Sequence, residues 1–252
     1  VAFPAAALSL SKRDHEMRLS NIATAAAIIA LLSAGLGGCS TTDRGDTEGL
    51  EGSGFLAEWY PLMRAGGEDE GARVYRHPGA RDAIRAGDSM ILAPVQLWLK
   101  ADDGLTDGQG RELADRFYAT LYTTLAKHYR MVETPEPGTV RFDVALASAQ
   151  AADVKRDLIS KAVAPARILS TAASKISGEP MFQGSATIEA KLSDALTGEV
   201  WVATIDRRVG GNAINAETFQ TWGDVYNIMD LWAAAIGYKL CSARDVSPCE
   251  KP

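Results

Sequence analysis

Histidine is scarce in this chain of 252 residues, which has three, at positions 15, 77 and 128. None of them stands at zinc-ligand spacing, and the sequence contains neither a His-Glu-x-x-His nor a Cys-x-x-Cys motif. It also lacks a Gly-x-Ser-x-Gly elbow, a phosphate-binding loop and the Gly-x-Gly-x-x-Gly fingerprint of dinucleotide sites. We therefore expect no metal site and no cofactor.

Positive charge is also in deficit. The chain has 26 Lys and Arg residues against 32 Asp and Glu residues, which gives a formal net charge of -6. Proteins that hold phosphate backbones normally present a positive field to them. The bulk composition therefore argues against nucleic acid as a partner.

A run long enough to span a membrane is missing as well. The apolar run Ile22–Leu36 has about 15 residues, whereas a helix that crosses a bilayer needs about 20. It follows Met17 and Arg18 and ends at two glycines, residues 37–38, which is typical of a secretory signal peptide. Residues 1–16 place several charges ahead of this pattern, so we expect Met17 to be the true start. Residues 1–38 are interpreted as an upstream extension and a signal peptide.

Cys39 follows this run directly. The segment Leu36-Gly37-Gly38-Cys39 resembles the bacterial lipobox, in which the cysteine is acylated and becomes the new N-terminus. Several acyl chains on one residue would make a stable membrane anchor. Ser40, rather than Asp, follows the cysteine, and by resemblance to enterobacterial sorting rules this implies the periplasmic side of the outer membrane. The alternatives are cleavage nearby that leaves an ordinary periplasmic cysteine, or an uncleaved anchor.

The chain beyond the cysteine divides into two parts. Residues 39–54 comprise Cys39 and the tract STTDRGDTEGLEGSG, which has no apolar period and predicts a flexible tether. Residues 55–252 are predicted to form one periplasmic domain, and its apolar beginning, from Phe55, is interpreted as an arm packed on the main body.

Alternating and helical apolar periods follow one another in this domain. A strand is predicted at 89–99, a helix after the capping-box pair Thr106 and Gln109, and a strand near 140–146. A further helix-like stretch at 154–177, a hairpin near 186–207 and a last helix near 217–240 complete the order. The predicted fold is α+β: a single two-layer sandwich, with a mixed or antiparallel sheet and helices packed on one face.

Two cysteines remain near the C-terminus, Cys241 and Cys249. If Cys39 is acylated, these two make an even number in an oxidising compartment. The polar segment between them contains a proline and can bend back, so a disulfide that holds the tail is predicted. The alternative is two free thiols.

The segment 154–177 is basic within an acidic protein. Its cations are Lys155, Arg156, Lys161, Arg167 and Lys175. A basic amphipathic stretch can lie on anionic headgroups or dock a partner, so these residues form a candidate membrane or partner surface. The alternative is a crossover helix with a solvated basic face.

The predicted hairpin carries three acidic residues, Asp194, Glu199 and Asp206. Paired carboxylates can serve as general acid and base, whereas the alternative is a turn-forming aspartate and solvated charges. A small-ligand site would instead need an apolar pocket under the helix that carries Trp222 and Trp232, unless these tryptophans belong to the core.

Several longer stretches resemble a family of bacterial lipoproteins designated domain of unknown function thirty-three-thirteen. They are FLAEWYPLM, VYRHPGA, MILAPVQLWL, HYRMVETPEPGTVRFDVALASA and GSATIEAKLSDALTGEVWVATIDRRVGG, which together extend over roughly residues 55–240. The resemblance implies an envelope lipoprotein to which no catalytic residues are assigned.

The expected function is therefore that of a non-enzymatic outer-membrane lipoprotein whose periplasmic domain binds a protein or envelope partner. The alternative is a lipid-anchored hydrolase of an envelope polymer that uses the hairpin carboxylates. The two are separated by geometry, since a hydrolase of this kind needs two carboxylates roughly 5 to 9 Å apart in a groove.

Overall fold

The computed structural model describes residues 42–45, 50–99, 103, 105–152, 184–210, 221–245 and 248–252. The described residues from 42 onwards belong to one compact unit. Three predictions lie outside the described residues, namely the upstream extension and signal peptide at 1–38, the acylation of Cys39 and the helix-like basic stretch at 154–177.

Nine strands and three α-helices make up the regular structure of the described residues. The strands are β1 (Thr42–Arg44), β2 (Arg64–Ala65), β3 (Arg73–Arg76), β4 (Ser89–Leu92), β5 (Gln96–Leu97), β6 (Arg130–Met131), β7 (Thr139–Gln150), β8 (Ser185–Asp194) and β9 (Val200–Gly210). The helices are α1 (Ala80–Ala86), α2 (Asp107–Leu125) and α3 (Gly223–Ala243), with a single 3-10 turn at Tyr60–Leu62.

The strands form one mixed sheet in the order β2-β3-β9-β8-β7-β4-β6, with β1 also paired to β9 and β5 to β7. The long strands β7, β8 and β9 are antiparallel, as the sequence hairpin predicts. β4 is parallel to β7, because α2 carries the chain back across the sheet between them. The sheet is therefore mixed.

All three helices pack on one face of this sheet, which we call the helix face. The Thr106–Gln109 capping box starts α2, whose apolar positions Leu113, Phe117, Leu121 and Leu125 are buried. These side chains share one core with the even-numbered residues of β7 and β8 and with Met229 and Trp232 of α3. Apolar residues at every second position of the strands pack here against apolar residues at every fourth position of α2. The predicted α+β sandwich is confirmed.

The opposite face of the sheet, the arm face, is covered by the N-terminal arm, residues 50–63. Leu56 is buried there with Ala203 and Ile205 of β9, and Phe55, Trp59 and Met63 pack around them. The Trp59 and Tyr75 rings lie 4.8 Å apart between centroids. The packing of an arm on the main body is confirmed.

The tether prediction for residues 39–54 is wrong for Thr42–Arg44, which form β1. Thr42 pairs with Gly210 and Arg44 with Arg208, and the Gly45 amide donates to the Arg207 carbonyl at 3.0 Å. β3 covers β9 only from Val202 to Ile205, so the rest of that edge offers free backbone groups. Pairing satisfies them, and composition alone gave no sign of it.

Two further elements differ from their predictions. The strand at 89–99 is split into β4 and β5, because Pro94 between them has no amide hydrogen to donate. The last helix begins at Gly223 rather than near residue 217.

The predicted disulfide is confirmed. Cys241, in the last turn of α3, is bonded to Cys249, with their Cα atoms 5.8 Å apart. Cys241 is fully buried, so the bond ties the C-terminal tail to the end of the helix. As for membrane crossing, none of the helices within the described ranges has the length and apolarity that it requires.

Candidate functional site

A cavity of about 160 Å³ lies between α3 and the helix face of the sheet. Its walls are mostly apolar and come from the strands, from α3 and, through Ile84, from α1. The principal wall residues are Ile188, Ala190, Val202, Trp232, Ile236 and Leu240. The alternation of the strands and the helical spacing of α3 direct these side chains toward one another. The space that remains between the two sets is the cavity.

Asp206 lies at one side of this cavity and is only 5% exposed. Its carboxylate accepts hydrogen bonds from Trp232 Nε1 at 2.7 Å, the Ala72 amide at 3.2 Å and Arg208 Nε at 2.9 Å. A buried carboxylate needs such donors, because burial without them is costly. Asp206 therefore fastens α3 and the loop before β3 to β9.

Glu70 organises the charged mouth of the cavity. Its carboxylate accepts from Arg64 at 2.8 Å, from the Gly67 amide at 3.1 Å and from Arg76 at 3.2 Å. The hydrogen bond from Arg64 is the main reason why its pKa falls to about 2, with burial opposing the shift. Glu70 is thus an anion throughout the physiological range and is already paired.

Lys239 of α3 stands at the same mouth. Its ammonium group donates to the backbone carbonyl of Asp69, and among the described residues no carboxylate lies within ion-pair distance of it. Partial burial lowers the pKa of Lys239, while the nearby Asp69 and Glu70 charges oppose that shift. The mouth therefore holds a cation that lacks a carboxylate partner in the described part of the chain.

Of the three acids predicted on the hairpin, Asp194 and Glu199 flank its turn, where the Asp194 amide donates to the Glu199 carbonyl at 2.9 Å, and Asp206 lies apart from both. Asp194 Oδ1 accepts from the amides of Leu196 at 2.9 Å and Thr197 at 2.7 Å, which closes the turn. The bond from Thr197 is the main cause that lowers the pKa of Asp194.

Asp206 pairs with Ile188, six positions along β8 from Asp194. At about 3.3 Å per residue this puts the two acids roughly 20 Å apart. Glu199 is exposed and lies 3.8 Å from His77. The 5 to 9 Å spacing of glycoside hydrolase carboxylates is therefore not met by Asp194 and Asp206.

A further buried carboxylate, Glu189 of β8, has no counterpart among the predicted residues. It is fully buried on the arm face and accepts from the amides of Ser53 and Leu56 and from the Tyr60 hydroxyl, the last two at 3.0 and 2.8 Å. Burial is the first cause of a raised pKa at Tyr60. The sequence signal was misleading, since Glu189 alternates with apolar residues as a solvent-facing side chain does.

The small-ligand hypothesis required an apolar pocket under α3, and such a pocket is present. Trp232 belongs to its wall, whereas Trp222 packs at the edge of the core just before α3 begins. In the part of the chain that is described, no group of three His, Cys, Asp or Glu side chains is placed to hold a metal ion. The predicted anchor Cys39 and the basic residues Lys155, Arg156, Lys161, Arg167 and Lys175 lie outside the described residues.

Solved structures that resemble this chain do so remotely. A PelC dodecamer from Paraburkholderia phytofirmans is 12% identical, with 70% of this chain and 97% of that one covered and a TM-score of 0.35. A DUF330 protein from Xanthomonas campestris is 7% identical, with coverages of 68% and 93% and a TM-score of 0.37. A DUF4136 family protein from Bacteroides thetaiotaomicron is 13% identical, with coverages of 62% and 91% and a TM-score of 0.29.

Similarities at this level do not indicate a shared function. A comparison with curated proteins found no match. The match to a family model is more extensive, since it runs over residues 51–236 and so includes the arm, the sheet and most of α3. The chain belongs to the family described as "Protein of unknown function (DUF3313)".

Proposed function

We propose that this chain is a non-catalytic periplasmic lipoprotein, anchored to the outer membrane through Cys39, whose domain binds a protein or envelope partner. The signal-like run, the two glycines and the cysteine at residues 22–39 support the anchor. The resemblance to envelope lipoproteins supports the same compartment, and a disulfide is typical of oxidising compartments.

The position of β1 is the observation that carries the proposal furthest. β1 begins at Thr42, so only Ser40 and Thr41 separate the sheet from Cys39. Three residue steps span at most roughly 10 Å. A lipid on Cys39 would therefore hold the domain against the membrane by one end of its sheet.

That end, the anchor end, consists of the end of β7, the start of β8 and the end of β9. Gln150 pairs with Ser185, which pairs with Val209, and Thr42 pairs with the adjacent Gly210. The chain leaves the sheet here at Ala152 and returns at Gly184, and the basic segment lies between these two points in the sequence. A cationic segment that starts beside a lipid anchor would add attraction to anionic headgroups.

Partner binding is proposed for the surfaces that this orientation leaves free. Trp98 is 40% exposed, and its ring meets Phe55 of the N-terminal arm edge-on at 5.9 Å between centroids. Exposed, pre-ordered tryptophans are enriched among residues that dominate binding at protein interfaces. Crosslinking in intact cells followed by pull-down would identify the partner. The Trp98→Ala substitution is expected to lower the yield of the crosslinked product.

The anchor is tested by Cys39→Ser followed by membrane fractionation with a salt wash. The variant is expected to lose its lipid, as seen by mass spectrometry, and to leave the washed membrane fraction. Ser40→Ala, one position away, is the matched control and should remain in the outer membrane, whereas Ser40→Asp should move to the inner membrane. Full retention of Cys39→Ser after the salt wash would refute the lipid anchor.

A further inference from the structure

The cavity under α3 has the size and lining of a site for an apolar group. Its volume of about 160 Å³ is close to that of an engineered protein cavity that takes up benzene, so it can hold roughly six carbon atoms. Ile188 and Ala190 of β8 face Ile236 and Leu240 of α3 across it. Apolar walls of this kind offer water few partners and favour hydrocarbon.

The mouth of the cavity differs from its interior because it is charged. Arg76 is paired with Glu70, and Arg208 with Asp206. Lys239 donates to the backbone carbonyl of Asp69, and the charges of Asp69 and Glu70 are near it, but among the described residues no carboxylate lies within ion-pair distance of its ammonium group. An anion that arrived at the mouth would meet the exposed ammonium group of Lys239 and could accept a charged hydrogen bond from it.

We propose that this cavity binds the hydrocarbon chain of a short single-chain anionic amphiphile, of roughly six carbon atoms, with the anionic group at Lys239. The apolar interior selects hydrocarbon, its volume excludes a second chain, and the ammonium group selects negative charge over a neutral head. Asp206 is a positioning residue here, because its bond to Trp232 fixes one wall and its donors are already satisfied. The site goes beyond partner binding and does not depend on acylation of Cys39.

The experiment uses the unanchored Cys39→Ser chain, purified without detergent, and titrates it with hexanoate below its micelle concentration in a calorimeter. Saturable binding of one molecule per chain is expected. Ala235→Trp, which fills the cavity from α3, should abolish it. Ala234→Trp is the matched control, because its neighbouring position on α3 is not part of the cavity wall, and it should bind normally.

The head group is tested with Lys239→Gln. This variant is expected to bind hexanoate about tenfold more weakly, since a charged hydrogen bond at the mouth of the cavity is lost. Its affinity for hexanol, which has the same chain length and no charge, should not change.

Three results would overturn the proposal. They are the absence of saturable binding, undiminished binding by Ala235→Trp, and an equal loss of both probes in Lys239→Gln. If Ala235→Trp unfolds at a much lower temperature than Ala234→Trp, Ala190→Leu is used instead. This substitution fills part of the cavity from the opposite wall, on β8. Undiminished binding by that variant would count against the site in the same way.

Discussion

Glu189 and Asp206 are buried carboxylates on neighbouring strands, and they face opposite sides of the sheet. Glu189 accepts from three groups of the N-terminal arm, and Asp206 from a helix, a loop and its own strand. Each acid fastens the layer that covers its face. On the arm face this layer closes fully over Glu189, whereas on the helix face a cavity of about 160 Å³ stays open beside Asp206.

The difference separates two uses of a buried charge. The donors of Glu189 come from a short segment that has little other regular structure, so the carboxylate takes the place of a strand or helix partner. Asp206 joins elements that also pack together in the main hydrophobic core, and the proposed ligand site lies beside it. We therefore expect the arm face to depend more on its carboxylate than the helix face does.

Removal of the arm-face carboxylate should have the largest effect. In Glu189→Ala the amides of Ser53 and Leu56 and the Tyr60 hydroxyl lose their acceptor inside the protein. We expect the free energy of unfolding in urea to fall by about 3 to 5 kcal/mol and the arm to become sensitive to protease. Glu199→Gln, an exposed acid of the same hairpin, should change it by less than about 0.5 kcal/mol. A loss as small as that control would mean that the arm does not need Glu189.

Removal of the helix-face charge should have a smaller effect. Asp206→Asn keeps one acceptor oxygen but gives up the charged hydrogen bonds to Trp232 and Arg208. A loss of about 2 kcal/mol in the free energy of unfolding is expected. Trp232→Phe removes the indole donor. The double variant should lose about 1 kcal/mol less free energy of unfolding than the sum of the losses in the two single variants. Simple additivity would show that the hydrogen bond between them contributes nothing.

The smallest effect concerns the mouth of the cavity and its dependence on pH. The pKa of Glu70 is about 2 in the folded protein, below the ordinary value of 4.5 for the unfolded chain. Its stabilising effect is therefore complete above pH 5 and is lost as pH falls from about 5 to about 2. Because the site is partly open to water, less than about 1 kcal/mol is expected.

Glu70→Gln should flatten this acid limb when the free energy of unfolding is followed against pH. Glu68→Gln, a neighbouring exposed acid, should leave the limb in place. An unchanged acid limb in Glu70→Gln would show that the ion pairs of Glu70 with Arg64 and Arg76 do not stabilise the fold.

Much of the fold follows from local patterns in the sequence. The alternation in β7 and β8, the capping box of α2 and the apolar spacing of α3 each predict their element, because each element buries one side of itself. The disulfide was also predictable, since Cys241 and Cys249 are close in sequence and can meet across a short turn.

The candidate site was less predictable, because it depends on which segments cover the sheet. Glu189 reads as a solvent-facing strand residue until the arm folds over it. Asp206 reads as one of three hairpin acids, whereas its donors come from Ala72 and Trp232, far away in the chain. The pairing of β1 depends on the part of the β9 edge that β3 does not cover. No local sequence pattern predicts that this part of the edge is available.

β1 also has a mechanical consequence for the proposed lipoprotein. It is held to β9 by three residue pairs and by the hydrogen bond from the Gly45 amide to the Arg207 carbonyl, and Arg44 also donates to the Gly67 carbonyl. A pull between lipid and domain would load those pairs first. Their release would free residues 42–45, which can extend by roughly 13 Å at most. While β1 is paired, it would hold the domain close to the membrane in one orientation. When β1 is released under tension, the domain could move farther from the membrane.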